Sequence, residues 1–154
     1  MPSPKVPSAR VLANRQNRIV MHRESLDALQ LGIADGMLEM GNGILADAVA
    51  HAPRDPVAAA ARGVPEMADT GGVQIWALGK RAGGIWEKKP RGARIPKDEV
   101  VMIVGFGSPI AHFAEEGTIK EVARPFLLPA FNRGLPDADK FVVPAMGKRI
   151  AETP

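Results

Sequence analysis

Acid, base and cation lie close together in one stretch of the sequence. Residues 110–131, IAHFAEEGTIKEVARPFLLPAF, hold His112, the adjacent pair Glu115 and Glu116, a Gly117-Thr118 turn, and Arg124 beside Pro125. A histidine with two carboxylates is material for general acid–base catalysis, provided the groups converge. Residues 110–114 read as a short strand, and on a strand neighbouring side chains point to opposite faces, so Glu115 and Glu116 diverge. His112 lies three residues before Glu115 and makes no dyad in extended chain. The stretch is therefore expected to hold no catalytic residue.

No other constellation takes its place. The three histidines, His22, His51 and His112, stand in no H-E-x-x-H spacing, and there is no cysteine. A structural zinc site would need distant carboxylates, so no metal is expected. There is no G-x-S-x-G elbow and no phosphate loop, and the glycines of GFGSP (105–109) precede a proline rather than a helix. No cofactor is expected, and the chain reads as something other than an enzyme.

The elements that must position these residues follow from composition and pattern. At 154 residues the chain is one ordinary domain. A chain of this length buries roughly 68–70% of its unfolded surface, enough for a core without disulfides. Sixteen glycines and fourteen prolines predict a loop-rich protein with interrupted elements. No apolar run approaches the roughly 18 residues of a membrane span, so no membrane partner is expected. MPSPKVPSARVLANRQNR lacks the apolar core of a secretory signal, which points to synthesis and residence in the cytoplasm of the host.

Charge is nearly balanced at +3 but unevenly spread. Residues 1–23 carry Lys5, Arg10, Arg15, Arg18 and Arg23 and no acid. Residues 80–98 carry Lys80, Arg81, Lys88, Lys89, Arg91, Arg94 and Lys97 against Glu87 and Asp98. Such segments suit an acidic partner, either nucleic acid or a negative protein surface, and equally suit solvated loops.

Residues 1–22, with prolines at 2, 4 and 7, read as an extended basic arm that orders on contact. From there, residues 23–154 read as a single α+β domain. Apolar positions 26, 29, 33, 37, 40, 44 and 48 mark a long helix that HAPRDP (51–56) ends. Gly32 and Gly36 share one face of it, where another element is able to approach closely. Residues 57–72 read as a connector with a short helical start. GVQIWALGK (72–80) and DEVVMIVGFG (98–107) read as two strands, joined through a long basic hairpin loop at 80–97. RPFLLPAFNRG (124–134) reads as a short helix stopped by Gly134, and 136–152 as a last helix interrupted by Pro144. The expected architecture is a small antiparallel sheet packed against the long helix, with shorter helices at the carboxy end.

Trp76 and Trp86 beside the basic segments raise the prospect of single-strand stacking, but aromatic residues make up only 5% of the chain and tyrosine is absent. A basic nucleic-acid-binding accessory protein is the second reading of the residues.

The motifs and their order resemble the head–tail joining, or tail-completion, proteins of long-tailed bacteriophages. A long helix ends at an Ala-Pro turn, AHAPRD (50–55), and Asp-Thr-Gly follows in ADTGG (68–72). GFGSPIAHFAEEGT (105–118) then runs into ARPFLLPAF (123–131). The resemblance spans roughly residues 22–135. Two features depart from the pattern: Glu116 stands where a bulky apolar residue is usual, and about a dozen residues separate Ala-Pro from Asp-Thr-Gly. The resemblance implies a structural protein of the virion neck, a ring of six copies at the head–tail junction that completes or terminates the tail. Its partners would be its own copies, neighbouring connector and tail-tube proteins, and, non-specifically, the packaged DNA. In that setting Arg10, Arg15, Arg18, Lys88, Lys89, Arg91, Arg94 and Glu116 are the expected subunit or partner contacts. Asp69, Thr70 and Gly71 are expected to turn the chain into the first strand. Glu115, Gly117 and Thr118 are expected to aim the next segment, and Arg124, Pro125 and Phe126 to anchor the helix, Arg124 by a charge-assisted bond.

Overall fold

The computed structural model describes residues 9–12, 18–21, 23–86, 92 and 94–153. It is an α+β fold, as the patterning predicts. Strands β1 (Ala9–Leu12) and β2 (Arg18–Met21) pair antiparallel, with Arg10 opposite Val20 and Leu12 opposite Arg18. The segment expected to be an extended arm therefore folds back on itself. Helix α1 (Arg23–His51) follows, then α2 (Pro56–Arg62). Asp55 caps α2 by accepting from the Ala58 N–H at 2.9 Å, Pro56 opens it, and Gly63 ends it in the left-handed region at φ 65°.

A 3₁₀ turn (Met67–Thr70) leads into the main sheet: β3 (Gly71–Ala77), β4 (Lys80–Gly84) and β5 (Val101–Phe106), all antiparallel in the order β4-β3-β5. The pairing of β3 with β5 agrees with the sequence, but β4 was not foreseen, because residues 80–97 read as one basic loop. Leu78 (φ 55°) and Gly79 (φ 72°) make a two-residue turn with both angles positive, the geometry that brings a strand straight back. Leucine is an unusual residue at the first of those positions, so the turn carries no sequence signal. Lys88, Lys89 and Arg91 lie outside the described residues, as does Arg15, while Arg94 is exposed.

The rest of the chain is helical: α3 (Ile110–Glu116), α4 (Leu127–Gly134), a 3₁₀ turn (Leu135–Asp137) and α5 (Ala138–Glu152). Two expectations change here. Residues 110–114 are helix, not strand. Pro144 does not interrupt α5, which passes through it. Helix α4 ends at Gly134 as expected, but without a left-handed cap, since the glycine's backbone is right-handed helical and the chain runs on through the 3₁₀ turn.

Helix α1 is the centre of the molecule. One side lies on the sheet, where Leu38 meets Gly83, Gly41 meets Val73 and Met102, and Leu45 meets Gly71. The other side takes α5. A Cβ at Gly32 would stand 2.6 Å from the Met146 Cα, and one at Gly36 would stand 2.5 Å from the Val142 Cα. The close approach expected at these two glycines is therefore made by α5, backbone against backbone, and Arg149 bonds Asp35 at 2.6 Å beside it. The fully buried stripe of α1 differs from the expected one. It includes Ala28, Gly32, Gly36, Met40, Ile44 and Ala48, whereas Leu26 is exposed. Small residues admit the neighbouring helix and so are covered more completely than the larger leucines beside them.

The outer face of the sheet is closed by Trp86. Gly72 and Gly105 are register partners, and the Trp86 indole lies over both, with a Cβ at Gly72 falling 2.3 Å from the ring. The Trp86 carbonyl accepts from the Gln74 side-chain amide at 3.0 Å.

Candidate functional site

The sequence motifs meet in one place, the joint between the sheet and the carboxy-terminal helices. Arg54, at the end of the Ala-Pro turn, bonds Glu66 at 2.8 Å and stands 3.7 Å from Asp69. Thr70 closes the 3₁₀ turn by donating its hydroxyl to the Met67 carbonyl at 2.7 Å. The same hydroxyl accepts from the Ser108 N–H at 3.1 Å, and the Thr70 carbonyl accepts from the Gly107 N–H at 2.9 Å. The local bond to Met67 makes the strand-entry turn that was expected, with Gly71 as the first residue of the strand, and the bonds to Gly107 and Ser108 additionally tie the start of β3 to the end of β5. Asp69 is exposed and contributes only its loose pair with Arg54.

Glu115 performs the most work in the joint. Helix α4 begins at Phe126 and Leu127 without a serine, threonine, aspartate or asparagine to cap it, which leaves its first N–H groups unsatisfied. The Glu115 carboxylate accepts from the N–H groups of Phe126 (2.9 Å), Leu127 (3.0 Å) and Leu128 (2.9 Å). A negative charge at that end also suits the helix dipole. Partial burial acts to raise the Glu115 pKa, but the three N–H bonds outweigh it and hold the carboxyl below its ordinary value.

Between them, Gly117 reverses the chain at φ 77°, ψ 177°, a region reserved for glycine. A Cβ there would meet the Ala123 nitrogen at 2.7 Å. The Thr118 hydroxyl accepts from Lys120 (3.2 Å) and Glu121 (3.1 Å), which forms the expected turn. Phe126 is 1% exposed and meets Phe106 edge-to-face with ring centres 5.1 Å apart. Its anchoring role is as expected. That of Arg124 is not: its side chain is exposed and makes no bond among the described residues, and its backbone N–H does the holding by donating to the Ala114 carbonyl at 2.8 Å. Pro125 is exposed.

Because 110–116 is helical, the geometry of the acid–base question also changes. His112 pairs not with Glu115 but with Glu116, one turn on, at 3.5 Å. Both side chains are about two-thirds exposed (66% and 67%), so the pair sits on open surface with no cleft to exclude water. Glu115 is fully engaged with backbone and has no proton to trade at neutral pH. Among the described residues no group of histidines and acids has the placement of a metal site. A shallow open groove of about 200 Å³ lies elsewhere, lined by Met40, Ile44, Asp47, Arg133 and Phe141 among others. The charges that line it are already paired: the Arg133 Nε donates to Asp47 at 2.7 Å, and Asp137 accepts from Lys140.

Sequence reasoning did not find the capping role of Glu115. The signal available to find it was the missing cap at Phe126, since an uncapped helix start near the core needs an acceptor from elsewhere. In comparisons with protein-family models, curated proteins and solved structures, the chain matches none.

Proposed function

We propose that this chain is a structural protein of a bacteriophage neck, assembled in the host cytoplasm and carried in the virion as a ring at the head–tail junction. In that place it completes or terminates the tail and joins it to the head connector. One observation carries the reading. The four motif segments, far apart in sequence, are bonded to one another in series: Arg54 to Glu66 and Asp69, Thr70 to Gly107 and Ser108, Phe106 to Phe126, and Glu115 to residues 126–128. They form one mechanical unit rather than separate matches, and the side chains of Arg54, Thr70 and Glu115 are used for holding. Side chains committed to holding segments together support the reading as an assembly protein.

The nucleic-acid reading is weakened at both of its stacking residues, because Trp86 is laid on the sheet and Trp76 is half-buried in β3. Glu116, exposed at the rim of the joint, stays available to a cation of a neighbouring subunit. Charge reversal there is expected to weaken assembly; intact rings in that variant would remove Glu116 from the interface. The reading as a whole is tested by electron microscopy of the purified protein. Rings support it, and a monomer at all concentrations, absent from purified particles, overturns it.

A further inference from the structure

The β1–β2 hairpin forms no extensive contact with any other described element of its own chain. A two-stranded hairpin alone is marginal in water and needs a third strand or a packing face. The same molecule offers an open edge. Among the described residues strand β5 pairs only with β3, so no described strand lies on its other side. The Gly107 N–H reaches the Thr70 carbonyl, and this fixes the alternation along the ladder. Gly105, Ile103 and Val101 turn their backbone groups toward β3, and Phe106, Val104 and Met102 turn theirs outward.

The two edges of the sheet are not equivalent. Strand β4 starts with Lys80 and Arg81, ends in Gly83 and Gly84 with φ 101° at the latter, and sits beside a register shift at Ile75/Trp76. Cations, glycines and a bulge all protect an edge from pairing. Strand β5, VMIVGF, is regular and rich in β-branched residues, and the exposed acids Asp98 and Glu99 stand just ahead of it. The hairpin segment is the opposite in charge, with Arg10, Arg15, Arg18 and Arg23 and no acid within residues 1–23.

We infer that the β1–β2 hairpin of one copy adds to the β5 edge of the next, extending its sheet across the subunit boundary. The occupant of the edge is a second copy of this chain, chosen by a hairpin and an edge that have no further strand partner among the described residues and by complementary charge. Such a contact joins two different patches, so it repeats from copy to copy and forms a ring where the rotation between copies closes. The inference rests on the ring reading above but is separable from it.

The test compares the full chain with a variant lacking residues 1–21, which takes nothing from the described core. Light scattering should give a ring for the full chain and a monomer for the deletion, with unchanged thermal unfolding of the monomer. Rings that survive the deletion overturn strand addition and leave the ring reading standing. A full chain that never assembles removes both. Hydrogen exchange on the full chain supplies a second readout: assembly should slow the amides of Met102, Val104 and Phe106 by at least about tenfold, since paired amides exchange only on opening. Unchanged exchange at those three in intact rings also overturns it. Asp98→Lys with Glu99→Lys should weaken assembly about tenfold at low salt and less at high salt; no effect at low salt counts against the hairpin as occupant.

Discussion

Helices α4 and α5 are held to the same body by opposite means. The α1–α5 crossing is made by removing side chains, so that Gly32 and Gly36 let the backbone of residues 141–146 come within reach of their Cα atoms. The start of α4 is made by adding one, a Glu115 carboxylate that supplies the acceptors its helix lacks. The first contact depends on shape and is indifferent to pH. The second depends on charge and is not. Steric contacts fail abruptly when a single methyl group is added, whereas a cap is lost by degrees.

The largest expected effect tests whether the joint is part of the core at all. Phe126→Ala removes a ring that is 1% exposed and packed on Phe106, and should cost about 4 kcal/mol in urea unfolding. A cost below about 1 kcal/mol would mean that the joint is only a surface clasp. Next is Gly36→Ala. Alanine is intrinsically better in a helix by about 1 kcal/mol, yet here its Cβ meets the Val142 Cα and the Phe141 carbonyl. The expected balance is a net loss of about 2 kcal/mol by denaturant titration; a gain would show that α5 shifts away at little cost.

Glu115→Ala should cost about 1–2 kcal/mol, chiefly in α4, and its pH dependence separates a charged cap from a neutral one. The folded-state pKa of Glu115 lies below its ordinary value. Its contribution is therefore fully present above the unfolded value of about 4.3 and is lost as pH falls through the folded value. The gap between wild type and Glu115→Gln should be widest near neutral pH and close in acid, and a gap independent of pH would assign the effect to packing. The smallest change has the opposite sign. At Gly43, in the same helix as Gly36, a Cβ would meet nothing within 4 Å. Gly43→Ala should therefore raise stability by about 1 kcal/mol, and the contrast with Gly36 isolates the crossing from helix propensity.

How much of this was legible varies with the range of the forces involved. Helix α1 and strands β3 and β5 could be read because periodicity and β-branched runs are local signals repeated many times. The shared face of Gly32 and Gly36 could be read as a place for close approach, since helical geometry alone puts them together. Helix α3 could not. Seven residues, IAHFAEE, are too short for period 2 and period 3.6 to be told apart, and Pro109 and Gly117 bound either element. Strand β4 was hidden by a leucine at a positive φ, and the exposed Arg124 side chain by a backbone bond that any residue but proline could supply.

The sequence by itself determined the long helix, the two strands that pair at its side and the glycine face. It did so because spacing and backbone preference are properties of the chain alone. Only the tertiary structure decided that Glu115 is a cap, that α5 occupies the glycine face, that Trp86 lies over the sheet and that no strand among the described residues covers the β5 edge. Each of these depends on which groups remain unsatisfied after the elements dock, and a hydrogen-bond donor or a bare strand edge acquires its partner from whatever packing brings within about 3 Å.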